Sequence, residues 1–158
     1  MSTLRPELPE PDGTGLRIAV VASRFNGEVV DRLLEGAVGA LRRWGVAPDD
    51  LTIVRVAGAW EVPQALEALA RRGRFDALVA LGAIVRGETP HFDVIASECS
   101  RGAADVALRH AVPVGFGVLT CDSLEQALAR AGGAAGNKGE EAAAAALDLV
   151  GALRRLDT

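Results

Sequence analysis

Apolar residues come along this chain in two alternating rhythms. Leu16 to Ala22 (LRIAVVA) is a compact run of the kind a buried strand shows. After the polar loop SRFNGE, residues Val30, Leu33, Leu34, Ala37, Val38 and Leu41 return at helical spacing through VVDRLLEGAVGALRRWG, and Gly45 is placed to end that helix. The alternation then repeats. LTIVRV (51–56) reads as a strand, and AGAWE leads into VPQALEALARRG, helical and closed by Gly73. DALVALGAIV (76–85) is apolar throughout, as a central parallel strand should be. A helix is predicted from Pro90 to His110, then the strand VPVGFGVL (112–119). Ser123-Leu124-Glu125-Gln126 has the spacing of a capping box and opens a short helix. The loop GGAAGNKG (132–139) introduces a last, alanine-rich helix, EEAAAAALDLVGALRRL.

Strict β-α alternation implies a parallel sheet with helices on both faces and right-handed crossovers. Four strands make an α/β fold of the flavodoxin-like kind, a three-layer αβα sandwich with a four-stranded parallel sheet. With 158 residues the chain is long enough for one domain with one sizeable core. We place that domain at 15–158, behind an N-terminal arm (1–14) rich in proline: Pro6, Pro9 and Pro11. Alanine packs closely against neighbouring surfaces, so the last helix is a candidate for contacts between copies.

Charge and cysteine content narrow the function. A net charge of −4 argues against nucleic acid as the main partner. No apolar stretch reaches the roughly 18–20 residues of a membrane span, and the N-terminus lacks a signal-peptide core, so a cytoplasmic protein is expected. Cys99 and Cys121 lack metal-ligand spacing and read as reduced thiols.

In an open parallel sheet, ligands bind beyond the carboxyl ends of the strands. Those ends read SRFNGE, AGAWE, RGETPH and TCDS, and three of the four hold residues with no evident folding role. The opposite ends (VAPDD, RGRFD, HAVP) look like plain turns. Each candidate has two readings. Phe25 could cap the core, or stack on a planar heterocycle while Asn26 reads a hydroxyl. Trp60 could anchor the core, and Glu61 could merely favour the start of the next helix. In RGETPH, Thr89 as N-cap and Pro90 at the first helical position are explained by helix capping. Gly87 and His91 are not. Backbone N–H groups of Gly87, Glu88 and Thr89 would suit an anion such as phosphate. His91 could sit idle in solvent or pass a proton near neutral pH. His110, in the last turn of the same helix, reads as structural. Arg130 and GNKG read as a solvated charge and a turn, unless they reach a neighbouring subunit's site.

SRFN (23–26), GAWE (58–61), LGAIVRGETPHFD (81–93), PVGFGVLT (113–120) and RAGGAAGNKG (130–139) together resemble the 6,7-dimethyl-8-ribityllumazine synthases of riboflavin biosynthesis, in order and in spacing. The resemblance implies a transferase that condenses 5-amino-6-(D-ribitylamino)uracil with 3,4-dihydroxy-2-butanone 4-phosphate, releasing phosphate and water, with no cofactor and no metal. It implies that Phe25 stacks on the pyrimidine and that Asn26 and Glu61 meet the ribityl hydroxyls. Ala59 and Trp60 would line that pocket, and main-chain groups of Ala83, Ile84 and Val85 would hold the uracil edge. Gly87, Glu88 and Thr89 would receive the phosphate, and His91 would transfer protons. Phe116, Arg130 (for the phosphate) and Lys138 would come from the adjacent subunit of a homopentamer with shared active sites. Some members build a sixty-subunit icosahedral shell from such pentamers. The short AGGAAGNKG connection resembles theirs, whereas the prolines of the arm are poor material for an added strand. Two positions depart from common family residues: Trp60 stands where phenylalanine or tyrosine is frequent, and Ala83 where some members have threonine.

Three other classes compete. A receiver-like domain would need carboxylates clustered at the ends of the first and third strands, which read SRFN and RGET instead. A flavin-binding protein on the same scaffold is the nearer rival, because a pocket for a ribityl-pyrimidine would also suit riboflavin. A purely structural shell protein leaves the populated strand-end loops unexplained.

Overall fold

The computed structural model describes residues 9–158; residues 1–8 of the expected arm, Pro6 among them, lie outside the described residues. Four strands, β1 (Ile18–Ser23), β2 (Leu51–Val56), β3 (Ala77–Val85) and β4 (Val114–Cys121), form one parallel sheet in the order β2-β1-β3-β4. Between them run α1 (Gly27–Arg43), α2 (Val62–Arg71) and α3 (His91–His110), and α4 (Leu124–Ala129) follows β4. The chain ends in α5 (Lys138–Arg155). This is the expected three-layer α/β arrangement.

The two faces of the sheet carry separate cores. Leu33 and Leu41 of α1 and Leu147 and Val150 of α5 pack on Val20, Val79 and Leu81. On the other face, Leu66 of α2 and Cys99, Ala103 and Val106 of α3 cover Val21, Leu78 and Ala80. Strand β1 is buried throughout and β3 nearly so, whereas edge strand β2 exposes Thr52 and Ile53. The unbroken apolar runs therefore belong to the two central strands, whose every side chain meets a helix.

Three alanines of the last helix are used inside the chain. Ala142, Ala143 and Ala146 are buried in the same core as α1. A Cβ on Gly115 of β4 would run into the Ala142 carbonyl, and one on Gly139 into the Leu33 carbonyl. Glycine on the sheet and alanine on the helix let the backbones approach closely.

Several boundaries move from their sequence positions. β4 starts at Val114 because α3 is closed by Ala111 in the left-handed region (φ 51) and by the Val112 N–H donating to the Ala107 carbonyl at 3.2 Å. Residues read as a loop form a small antiparallel ribbon, β5 (Ala131–Gly133) and β6 (Gly136–Asn137). Asn137 then caps α5, its Oδ1 accepting from the N–H of Gly139 (2.9 Å) and Glu140 (3.2 Å). At the expected capping box, Ser123 Oγ accepts from the Gln126 N–H at 3.2 Å, while the Gln126 side chain accepts from Asp122. Near the arm, the Gly13 N–H donates to the Trp44 carbonyl at 2.7 Å.

Cys99 and Cys121 are both buried and free, and they belong to the cores on opposite faces of the sheet. Burial pushes the Cys99 thiol up to about 11, and burial likewise raises Cys121.

His110 has the structural role expected of it: its ring meets the Glu67 carboxylate and so joins α3 to α2. Arg109 Nη1 reaches the same carboxylate at 2.6 Å. Burial pushes the Glu67 carboxyl up, but the hydrogen bonds and charges of His110 and Arg109 together outweigh it and hold the group below its ordinary value. A carboxyl depressed in the folded state adds stability above its unfolded value and loses it as pH falls through the folded one. Glu67→Gln should therefore lower the melting temperature at pH 7, with the gap to wild type closing as pH drops below about 4. A gap that stays constant across that range in thermal melts would show that the Glu67 pair carries no charge-linked stability.

Candidate active site

The strand order reverses between β1 and β3: the chain steps from β1 to β2 on one side, then returns to lay β3 on the other. Connections leave such a point in opposite directions, and a crevice opens above it. β3 deepens the crevice by outrunning its neighbour. Its pairing with β1 stops at Leu81 opposite Ala22, yet the strand continues to Val85. Beyond Leu81 the β1 side of β3 has main-chain groups facing the crevice instead of a strand.

Asn26 bridges the two sides. It sits in the left-handed region (φ 57), a conformation that asparagine tolerates better than most residues. Its Nδ2 donates to the Ala83 carbonyl at 2.8 Å. Preceding it, the N–H groups of Arg24 and Phe25 donate to the carbonyls of Val56 (2.8 Å) and Ala57 (3.0 Å), so the β1–α1 loop runs alongside the end of β2. There Ala59–Glu61 make a short 3-10 turn, and Glu61 Oε1 accepts from the Gly58 N–H at 3.1 Å.

A pocket of about 420 Å³ lies in this crevice. Phe25, Asn26, Ala59, Trp60, Glu61, Ala83, Ile84, Val85, Gly87, Thr89 and His91 line it, all of them candidates from the sequence. Phe25 is 72% exposed and Trp60 51%, which removes the core-cap and core-anchor readings for both rings within this chain. A larger hollow of about 590 Å³ lies at the other end of the sheet, between edge strand β2 and α2. Around it Arg17 is 3.8 Å from Asp50, Arg72 donates to the Ala68 carbonyl and Arg74 lies over Phe75. We place the site in the smaller pocket because it holds the strand ends, the exposed rings and the histidine.

The turn from β3 into α3 differs from its sequence reading in one respect. α3 begins at His91 with Pro90 as its N-cap residue, so Thr89 stands one position too early to be the cap. Its Oγ1 is 3.4 Å from the His91 N–H, a weak contact. Residues 86–91 are all exposed. Among the described residues no protein acceptor takes the N–H of Gly87, Glu88 or Thr89, so three successive donors on an exposed turn are left without a protein partner.

Glu88 lies on this turn without lining the pocket. Three further candidates lie away from it. Phe116 is half-buried on β4, opposite Ala80, and packs on the α2–α3 side. Arg130 ends α4, its Nη1 donating to the Gln126 carbonyl at 2.9 Å, and Lys138 begins α5. Sequence reasoning missed Ala57, Gly58, Phe92 and Ile95 as pocket residues. Ile95 is four residues after His91 on α3, so helical spacing continued from His91 could have found it, and Phe92 lies three residues before Ile95 on the same helix. Among the described residues no group of three or more His, Cys, Asp or Glu could hold a metal ion, and no helix is long and apolar enough to cross a membrane.

An open α/β sheet with a pocket at its strand-order reversal, lined in part by two exposed rings, makes this an α/β protein with a candidate small-molecule site at its strand ends. The family model for 6,7-dimethyl-8-ribityllumazine synthase matches residues 15–154. The chain is similar to the 6,7-dimethyl-8-ribityllumazine synthase of Desulfovibrio desulfuricans, 49% identical over 156 residues covering 99% of this chain and 100% of that protein. It is also similar to that of Nitratidesulfovibrio vulgaris, 52% identical over 145 residues covering 92% and 93%. The chain belongs to the 6,7-dimethyl-8-ribityllumazine synthase family.

Asn26 should be irreplaceable for two separable reasons. Asn26→Gly keeps the left-handed conformation and loses the bond to Ala83; Asn26→Ala loses both. We expect Asn26→Gly to cost about 1 kcal/mol of stability and Asn26→Ala about 1 kcal/mol more. Denaturant unfolding of the two variants measures this, and equal stabilities would mean that backbone conformation is not part of the role.

Proposed function

We propose that the pocket receives 5-amino-6-(D-ribitylamino)uracil and that the enzyme condenses it with 3,4-dihydroxy-2-butanone 4-phosphate, releasing phosphate and water. The observation that carries this reading is the meeting in one pocket of exposed Phe25 and Trp60 with Gly87, Thr89 and His91, at a turn whose N–H groups at 87–89 have no protein acceptor among the described residues. Phe25 stacks on the pyrimidine, with Ala59 and Trp60 along the pocket wall. Because the Asn26 amide nitrogen is held by Ala83, its Oδ1 is the atom left to accept from a ribityl hydroxyl, beside Glu61. The Ala83 carbonyl keeps a second lone pair, and the uracil edge falls to main-chain groups on the β1 side of β3, those of Ala83 and Val85, with Ile84 beside them. The N–H groups of Gly87, Glu88 and Thr89 receive the phosphate, as successive exposed donors at a helix start can.

Catalysis is then mostly positioning. Holding amine and ketone together can lower the barrier by several kcal/mol through effective concentration. His91 moves protons during imine formation and phosphate elimination. Because the substrates are intrinsically reactive, we assign it the lower end of the usual range for such catalysis, about 10²-fold. Mixing the two substrates with the protein and following lumazine fluorescence tests the function, and separates an enzyme from a flavin binder. His91→Ala should lower kcat by about 10²-fold with little change in either KM; full turnover by that variant would remove the role.

Phe116, Arg130 and Lys138 act on an adjacent subunit's site, in a homopentamer formed by residues 15–158 with residues 1–14 as an arm. Their distance from the pocket of their own chain supports this reading. Glu88 contributes to the phosphate turn through its main chain. Light scattering should give a mass near five chains or a multiple of five; a mass near five alone excludes a sixty-subunit shell. In the same assembly Arg130→Ala should raise KM for the phosphate substrate much more than for the uracil. A monomer with full activity would overturn the shared site.

A further inference from the structure

Arg86 closes β3 and opens the turn that ends at His91, and none of the roles above uses it. Its guanidinium carbon lies 4.3 Å from the centre of the Phe92 ring. Its Nε donates to Asp122 Oδ1 at 2.8 Å, and its Nη1 is 3.6 Å from Asp93 Oδ1. Its backbone N–H donates to the Cys121 carbonyl, also at 2.8 Å. Asp122 is itself held, its N–H donating to Gln126 Oε1 at 2.8 Å. One side chain thus joins the end of β3, the first turn of α3 and the β4–α4 connection.

The residues it spans, Gly87 to His91, are all exposed, and the 3.4 Å approach of the His91 N–H to Thr89 Oγ1 is a weak contact. The path of the turn is set from its two ends, and Arg86 holds one end against the other. Exposed ion pairs contribute little to stability, so fold stability is a poor explanation for this arrangement. A planar guanidinium stacked on a ring while meeting two carboxylates is tightly constrained in orientation, a restriction a lysine ammonium would not impose.

We propose that Arg86 is a positioning residue for the reaction: by clasping Phe92, Asp93 and Asp122 it holds the Gly87–His91 turn in the shape that receives the anionic substrate. The proposal rests on reading that turn as the phosphate-binding one. Arg86→Ala should raise KM for the phosphate substrate and lower kcat, with a combined loss of about ten- to a hundredfold in kcat/KM. KM for the uracil and the melting temperature should stay close to wild type. Arg86→Lys should not rescue, because charge alone does not restore the stacked geometry. Affinity for inorganic phosphate, measured by calorimetry, should fall in parallel in both variants. An unchanged KM for the phosphate substrate, equal losses for both substrates, or rescue by lysine would overturn the proposal. If Arg86→Ala fails to fold, Asp122→Asn carries the test, since it keeps the stacking and the charge: a smaller loss in the same direction supports the clasp, and none overturns it. A wild-type protein that binds no inorganic phosphate overturns the assignment of the turn and the proposal with it. Wild-type affinity retained in the variants overturns the proposal alone.

Discussion

A single hydrogen bond, from the Asn26 amide to the Ala83 carbonyl, spans the place where the order of the sheet reverses. Elsewhere in the sheet, β1 and β3 are locked by main-chain ladders and covered on both faces by helices. Above Leu81 the ladder stops, and two loops leave in different directions. Without a tie at that point, the loops that carry Phe25 and Trp60 on one side and the Gly87–His91 turn on the other would be less firmly related. The pocket depends on holding the two sides of this gap at one distance.

The rest of the molecule makes that crevice rigid from below. Gly115 and Gly139 allow α5 to sit against β4 and α1 with backbone nearly touching backbone, and its alanines fill the space that remains. On the opposite face α3 is tied to α2 through His110, Arg109 and Glu67 at the end far from the pocket. Helix α3 is thus held at its C-terminus by charge and along its length by apolar packing. Its N-terminus, which faces the pocket, is tied to the preceding turn and to the β4–α4 connection by Arg86. A dense core thus lies beneath an exposed rim held by a few side chains.

At that rim a structural reading and a chemical one apply to the same atoms. Pro90 ends the turn and starts the helix, so the N–H groups before it are spent neither on a strand nor on a helix and remain available. Phe25 and Trp60 are exposed in a chain whose other large apolar residues are mostly buried, and both flank the same opening. Exposure of this much aromatic surface is an unfavourable choice for a lone chain unless something covers it.

Much of this was legible in the sequence. Periodicity of apolar positions separated strands from helices and identified β3 as central, because a run with no polar face can only be buried on both sides. The rule that ligands meet the carboxyl ends of parallel strands then selected the loops, and most of the pocket follows from them. What sequence could not supply was set by contacts between residues distant in the chain. The start of β4 moved because Ala111 takes a left-handed conformation, and a local glycine signal was missing there. The ribbon at Ala131–Asn137 has almost no apolar periodicity to read. Phe25 and Trp60 each had two plausible environments until the sheet placed them at the pocket mouth. In sequence Arg86 is a single charge; its partners lie 6, 7 and 36 residues further on and converge only in the folded chain. The sequence by itself determined which residues lie in which layer, since that depends on local period and polarity. Which side chains meet across the gap between β1 and β3 was decided by the tertiary structure alone, because strand order is not encoded in any one segment.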